Sequence, residues 1–130
     1  MLQTGLTGEA RAIVDAPQLA SAFGSGSWKV DVYATPAMIG LMEQAAVNAV
    51  DHLLPPGQSS VGTRVDVQHL AATPPGLEVR ARAELTAVDG RRLTFHVEAF
   101  DALEKIGTGT HERMVVDLQR LLDRAKAKQQ

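Results

Sequence analysis

Cysteine is absent from this 130-residue chain, which removes disulfide frameworks, thiolate nucleophiles and cysteine-based zinc sites from consideration. Its absence fits a reducing compartment. Aromatic residues are also scarce, with one Trp, one Tyr and three Phe, too few for a base-stacking platform. A net charge of −2 gives no overall attraction for a polyanion, so nucleic acid is not an expected partner. No long uncharged apolar run occurs either. The stretch from Val30 to Leu54 is interrupted by Glu43, Gln44, Asn48, Asp51 and His52, so no membrane span is expected. The opening residues MLQTGLTGEAR carry Glu9 before any apolar run can form, which argues against a cleaved secretory signal and for a cytoplasmic protein. No spacing matches a helical zinc-binding pair, a carboxylate-rich calcium loop, a Walker A loop or a dinucleotide fingerprint. No metal or cofactor is therefore expected.

What is present is enough for one core. A chain of 130 residues with 45% hydrophobic and 22% charged residues has the size and composition of a single globular domain. The expected domain spans residues 1–130, with a core over 1–117 and a basic amphipathic tail over 118–130, where Leu118, Leu121, Leu122 and Ala125 recur at helical spacing. Near the start, a strand is expected from about Leu6 to Val14, with Ala10, Ala12 and Val14 on one face. Pro17 and the Gly24-Ser25-Gly26-Ser27 stretch mark a loop.

A helix is expected to begin at Thr35-Pro36, where the threonine hydroxyl can cap free amides and proline suits the first turn. Met38, Met42, Ala45, Ala49 and Leu53 recur at helical spacing, while Ile39, Leu41, Ala46 and Val50 fill the other side. A helix so apolar all round predicts that other elements wrap it. Pro55-Pro56-Gly57 should end it. Four antiparallel strands are expected to follow. The first puts Val61, Thr63, Val65, Val67 and His69 on one face, with Gly62, Arg64, Asp66 and Gln68 on the other. The second alternates Leu77, Val79, Ala81, Ala83 and Leu85 with charged residues. Asp89-Gly90 signals a two-residue hairpin into a strand with Leu93, Phe95, Val97 and Ala99 inward. In the last strand Ile106, Met114 and Val116 share a face, and Gly107 and Gly109 suggest bulges or close approaches. The plan is α+β: a curved antiparallel sheet around one long helix. A single sheet leaves edges and part of the helix open, so self-association that continues the sheet is expected.

Two residues break the apolar pattern. Glu43 is the one carboxylate or cationic side chain between Val32 and Val50, and burying a charge costs several kcal/mol unless it is paired or hydrogen-bonded. His69 is the one imidazole on the inward face of its strand. Each alone reads equally as a satisfied structural group. Together, with the Thr35 hydroxyl, they are the ingredients of general acid/base or nucleophilic catalysis. His52 and His96 lie near the helix C-terminus and on an outward face, respectively. His111, flanked by parity by Gly109 and Arg113, lines either a pocket mouth or the exposed face. Arg80, Arg82, Arg91, Arg92, Lys105 and Arg113 form either a solvated sheet face or a contact for a small phosphorylated ligand.

Tyr33-Ala34-Thr35 through Gly40-Leu41-Met42-Glu43, Val67 to Leu70, Ala72-Thr73-Pro74-Pro75-Gly76-Leu77, Gly90-Arg91-Arg92-Leu93 and Ile106-Gly107 through Arg113 resemble the fluoroacetyl-CoA thioesterase type of hotdog-fold thioesterases. The resemblance covers most of the chain from Tyr33 to Val116. It implies a hotdog fold, a homodimer with active sites at the subunit interface, and hydrolysis of an acyl-CoA substrate. It also implies that Thr35, Glu43 and His69 are the catalytic threonine, glutamate and histidine, and that Gly62 and Arg113 lie near the acyl pocket. The segment from Phe23 to Val30, FGSGSWKV, does not reproduce the Phe-rich lid of the fluoroacetyl enzyme. Selectivity for a fluorinated acyl group therefore does not carry over. An acyl pocket formed by Phe23, Trp28, Met38 and Met42 is expected. Two other chemistries remain open on the same scaffold, a non-catalytic module that binds acyl-CoA or another small acyl ligand, and a hydratase.

Overall fold

The structure, a computed structural model, describes residues 2–24 and 30–129. The expected Trp28 contribution to an acyl pocket lies outside the described residues. Strand β1 (Thr7–Ile13) is followed by two short 3₁₀ turns, helix α1 (Thr35–Val50), and strands β2 (Gln58–His69), β3 (Glu78–Asp89), β4 (Arg92–Phe100) and β5 (Lys105–Asp117). Helix α2 (Leu118–Lys126) completes the order. The strands form one antiparallel sheet in the order β1-β3-β4-β5-β2. Helix α1 therefore connects the two edge strands and lies across the sheet between them. This is the α+β architecture of a hotdog fold, as the sequence led us to expect.

The period-two patterns of β1, β3 and β4 are met in the packing. Val79, Ala81, Ala83 and Leu85 of β3, and Leu93, Phe95, Val97 and Ala99 of β4, are fully buried against α1, each large side chain contributing about 1.5–3 kcal/mol. The hairpin between β3 and β4 turns one residue later than the Asp89-Gly90 signal suggests. Asp89 pairs with Arg92, and the two loop residues are Gly90, at φ +60°, and Arg91. Close approach of α1 to the edge strand β1 depends on Gly8, where a Cβ would lie 2.5 Å from the Ala49 amide nitrogen and also against the Ala45 carbonyl. Gly107 is likewise a close-approach site, with the Met38 side chain seated over it.

Of three expectations about α1 and its neighbours, one is met and two are corrected. First, as expected of a single curved sheet, α1 stays partly open in one protomer. Met38, Met42, Ala45, Ala46, Ala49 and Val50 are buried, but Gly40, Gln44 and Asn48 face outward, because a single sheet covers only one side of a helix. Second, Met38 and Met42 are closed into the core, whereas Phe23 is half exposed and borders a shallow cavity with Tyr33, Gly40, Leu41 and Gln44. Third, the face assignments of β2 and β5 change. The β2–β5 register shifts between Gly62 and Arg64. Thr63 is thus an extra residue in β2, and beyond it the alternation reverses. Gly62 and Ser60 consequently share a face with Val65, Val67 and His69, opposite Arg113, His111 and Gly107 of β5. Ile106 at the start of β5 is in the core as expected, but further along the strand the inward side chains are His111 and Arg113, both buried, rather than Met114 and Val116.

Helix α2 is capped by Asp117, whose carboxylate accepts from the Arg120 amide at 3.0 Å. Its leucines stay outside the core, Leu122 being 52% exposed. No described helix is long and apolar enough to cross a membrane.

Candidate active site

Thr35 occupies the first position of α1, but its hydroxyl does not cap the helix. Ala34 takes the cap position without a side-chain hydrogen bond, and Thr35 Oγ1 lies 2.8 Å from His69 Nδ1 at the end of β2. Pro36 lacks an amide hydrogen, so one of the helix's free donors is missing there at no cost. The His69 ring meets Tyr33 edge-on, with centroids 6.3 Å apart, and its Nε2 is buried with no hydrogen-bond partner among the described residues. Burial holds the imidazole below its ordinary pKa. Near neutral pH it is therefore an uncharged ring with one nitrogen committed to Thr35 and the other buried and unpartnered among the described residues. Burial also pushes the Tyr33 phenol up to about 12. Thr35 and His69 line a cavity of about 550 Å³ together with Val32, Tyr33, Pro36 and Ala72.

A second polar cluster forms two turns further along α1. Glu43 is 40% exposed by its side chain, and its Oε1 lies 3.6 Å from Arg113 Nη1 and 3.9 Å from His111 Nε2. The carboxylate is thus paired, as its place on an apolar helix requires, but it also retains access to solvent. Gly62 completes this cluster from β2. A Cβ at that position would run into Glu43 Oε1 and sit 3.5 Å from Arg113 Nη1. The absence of a side chain is what lets the carboxylate lie against the strand.

Arg113 is 6% exposed and fully engaged. Its Nε donates to Ser60 Oγ and its Nη2 to the Ser60 carbonyl, both at 2.8 Å, while Nη1 lies 3.3 Å from His111 Nε2. His111, 1% exposed, holds Nδ1 2.8 Å from the Arg64 carbonyl. A carbonyl only accepts, so Nδ1 carries the proton and Nε2 is the acceptor facing Arg113. Burial is the main cause that keeps this imidazole below its ordinary pKa. The Arg113 guanidinium is not part of a solvated sheet face. Arg80, Arg82 and Lys105 do lie outward, in ion pairs with Glu9, Glu84 and Glu98.

Within one protomer the structure joins Thr35 to His69, and Glu43 to Gly62 and Arg113. No contact joins the two clusters among the described residues, and eight residues of helix separate Thr35 from Glu43 by about 12 Å. His111 and Ser60 belong to the second cluster; the sequence left His111 between a pocket mouth and the exposed face and did not single out Ser60. The bulge at Thr63 hides Ser60's facing, and a buried polar pair on β5 leaves no apolar alternation to read. No group of His, Asp and Glu among the described residues is arranged to hold a metal ion.

An α1 helix laid on a sheet of this order, with these two clusters along one edge strand, defines a hotdog-fold protein with a polar site on its helix. A solved hot-dog-like protein from Thermanaerovibrio acidaminovorans superposes with a TM-score of 0.85 at 28% identity, covering 96% of this chain and 91% of that one. The chain belongs to the fluoroacetyl-CoA-specific thioesterase family, whose sequence model matches residues 14–119. It is 50% identical over 98 residues to the fluoroacetyl-CoA thioesterase of Streptantibioticus cattleyicolor, which spans 75% of this chain and 70% of that protein. A solved structure of the fluoroacetyl-CoA thioesterase FlK matches with a TM-score of 0.90 at 39% identity over 98% of both chains.

Proposed function

We propose that the protein is an acyl-CoA thioesterase that hydrolyses a short-chain acyl-CoA to the free acid and CoA, using Thr35, Glu43 and His69 as catalytic residues. Family membership carries thioester hydrolysis. The observation that supports this site is the Thr35–His69 pair beside an open cavity, a threonine hydroxyl diverted from helix capping to fix an imidazole whose other nitrogen is left free.

In this reading Glu43 either adds to the thioester carbonyl to give a mixed anhydride, which water then opens, or removes a proton from the water that adds directly. Either route passes through a tetrahedral oxyanion. Collapse breaks the carbon–sulfur bond with the electron pair leaving on sulfur. His69, neutral at rest, takes up the proton that water gives up and passes it to that sulfur, so that CoA leaves as the thiol and the ring returns to its neutral form. Thr35 fixes the ring through Nδ1, and its hydroxyl is within reach of a carbonyl oxygen in the same cavity. Gly62 and Arg113 belong to the acyl end, where the backbone amide of a residue without a side chain can approach the oxyanion. Such a donor is typically worth about 3 kcal/mol.

The working form is a homodimer with its active sites at the subunit interface. Edge strand β2 carries His69 near one end and Gly62 seven residues earlier. Antiparallel pairing of β2 with a second copy, centred between Val65 and Asp66, brings Thr35 and His69 of one protomer opposite Glu43 and Gly62 of the other. The separation of the two clusters in one chain supports this arrangement.

Release of free CoA thiol from a panel of short, medium and aryl acyl-CoAs, with wild type beside Glu43→Gln, tests the reading. Turnover on short acyl groups that is lost in Glu43→Gln is the expected result. Absence of turnover on every ester, with binding retained, makes the protein a non-catalytic acyl-CoA module instead.

A further inference from the structure

Arg113 is held by more than the site requires. Its guanidinium has two edges, and the Nε/Nη2 edge is fixed on one residue, with Ser60 accepting through both its hydroxyl and its carbonyl. The Ser60 hydroxyl in turn donates to Asp51 Oδ1 at 2.6 Å, and the Ser60 amide to Asp51 Oδ2 at 3.2 Å. Ser59 Oγ adds a third donor to the same carboxylate at 3.1 Å. Asp51 follows directly on the last residue of α1, so both carboxylates that face Arg113, Asp51 and Glu43, are supplied by the same helix segment. A buried guanidinium left free pairs with a carboxylate through two parallel N–H···O bonds. Here only Nη1 faces Glu43, at 3.6 Å, beyond hydrogen-bond length.

We infer that Asp51 and Ser60 are positioning residues, which hold Arg113 by its far edge so that one nitrogen faces Glu43 and the carboxylate stays unclamped for the reaction. The inference rests on the reading of Glu43 as a catalytic group. Ser60 carries the restraint directly, and Asp51 fixes the Ser60 hydroxyl so that its lone pair points at Arg113 Nε. Without them Arg113 is free to rotate into a two-bond pair with Glu43, which ties up the oxygens that must act on the thioester or on water.

The test compares Asp51→Asn and Ser60→Ala with wild type and Glu43→Gln, measuring kcat and KM on a short acyl-CoA and recording the Arg113 Nε–H signal by nitrogen-15 NMR. Both variants are expected to lose roughly ten- to hundredfold in kcat, as displaced catalytic groups do, with KM within about twofold. The wild type should show a slowly exchanging Arg113 Nε–H that broadens or disappears in Ser60→Ala. If Glu43→Gln is inactive while folded Asp51→Asn and Ser60→Ala keep wild-type kcat, the inference is overturned and the parent reading stands. If Glu43→Gln turns over normally, the parent reading falls and takes the inference with it. Should neither variant fold, a wild-type Arg113 Nε–H that exchanges as fast as that of a solvated arginine overturns the restraint on its own.

Discussion

At the scale of single residues, Thr35 separates two roles that a sequence cannot tell apart. A threonine before a proline at a helix start reads as a cap, and removing a cap costs about 1 kcal/mol. Here the hydroxyl is bonded to His69, so Thr35→Ala should leave unfolding free energy within about 0.5 kcal/mol of wild type, while lowering kcat by roughly tenfold or more. Chemical denaturation and thiol-release kinetics on the same samples check both halves. The histidines give a second prediction. His69 and His111 are both held below their ordinary pKa in the fold, in each case chiefly by burial. Their unfolded forms titrate near pH 6.5 and take up protons first, so stability is fully present above about pH 6.5 and falls as pH is lowered through that range. Denaturation midpoints at successive pH values should decline below neutrality, and His111→Gln, which lacks one of the two groups, should show a shallower decline. Glu43 and His69 were legible because each is alone in an apolar pattern. His111 was legible only as one of two alternatives and Ser60 not at all, since their partners come from distant strands and only the register discloses them.

At the scale of elements, the strands with clean alternation folded as their patterns require. The faces of β3 and β4 needed nothing beyond period two, because every inward position is apolar. Strand β2 differs, because one extra residue at Thr63 reverses the alternation and leaves no mark in composition. A bulge of this kind re-aims side chains. It puts Gly62 under Glu43 and Ser60 under Arg113, whereas uninterrupted alternation would turn both away. The packing of β1 on α1 yields a further prediction. A Cβ at Gly8 meets backbone atoms of Ala45 and Ala49 that cannot rotate aside. Gly8→Ala should therefore destabilise the protein by about 1–3 kcal/mol, as overpacking does, despite the general gain expected when glycine is replaced within a strand. Thermal melting of the variant would show this as a lowered Tm, and an unchanged or raised Tm would place the helix further from β1 than the structure has it.

At the scale of the whole molecule, β2 is an edge strand with no partner on its outer side among the described residues, while the outer side of α1 carries Gly40, Gln44 and Asn48 rather than a broad apolar face. The homodimer proposed above, paired through β2, covers that edge and explains the distance between the two polar clusters in one chain. The residue pattern alone could not supply this proposed division, which only the family resemblance implied, since spacing along a chain says nothing about which copy of the chain completes a site. The most direct measurement mixes Thr35→Ala and Glu43→Gln proteins, each nearly inactive alone, under conditions that exchange subunits, and follows CoA thiol release. A two-fold dimer with shared sites gives mixed dimers one intact site out of two, so random exchange should restore about a quarter of wild-type turnover per chain. Verified exchange with no recovery of turnover would contradict the account.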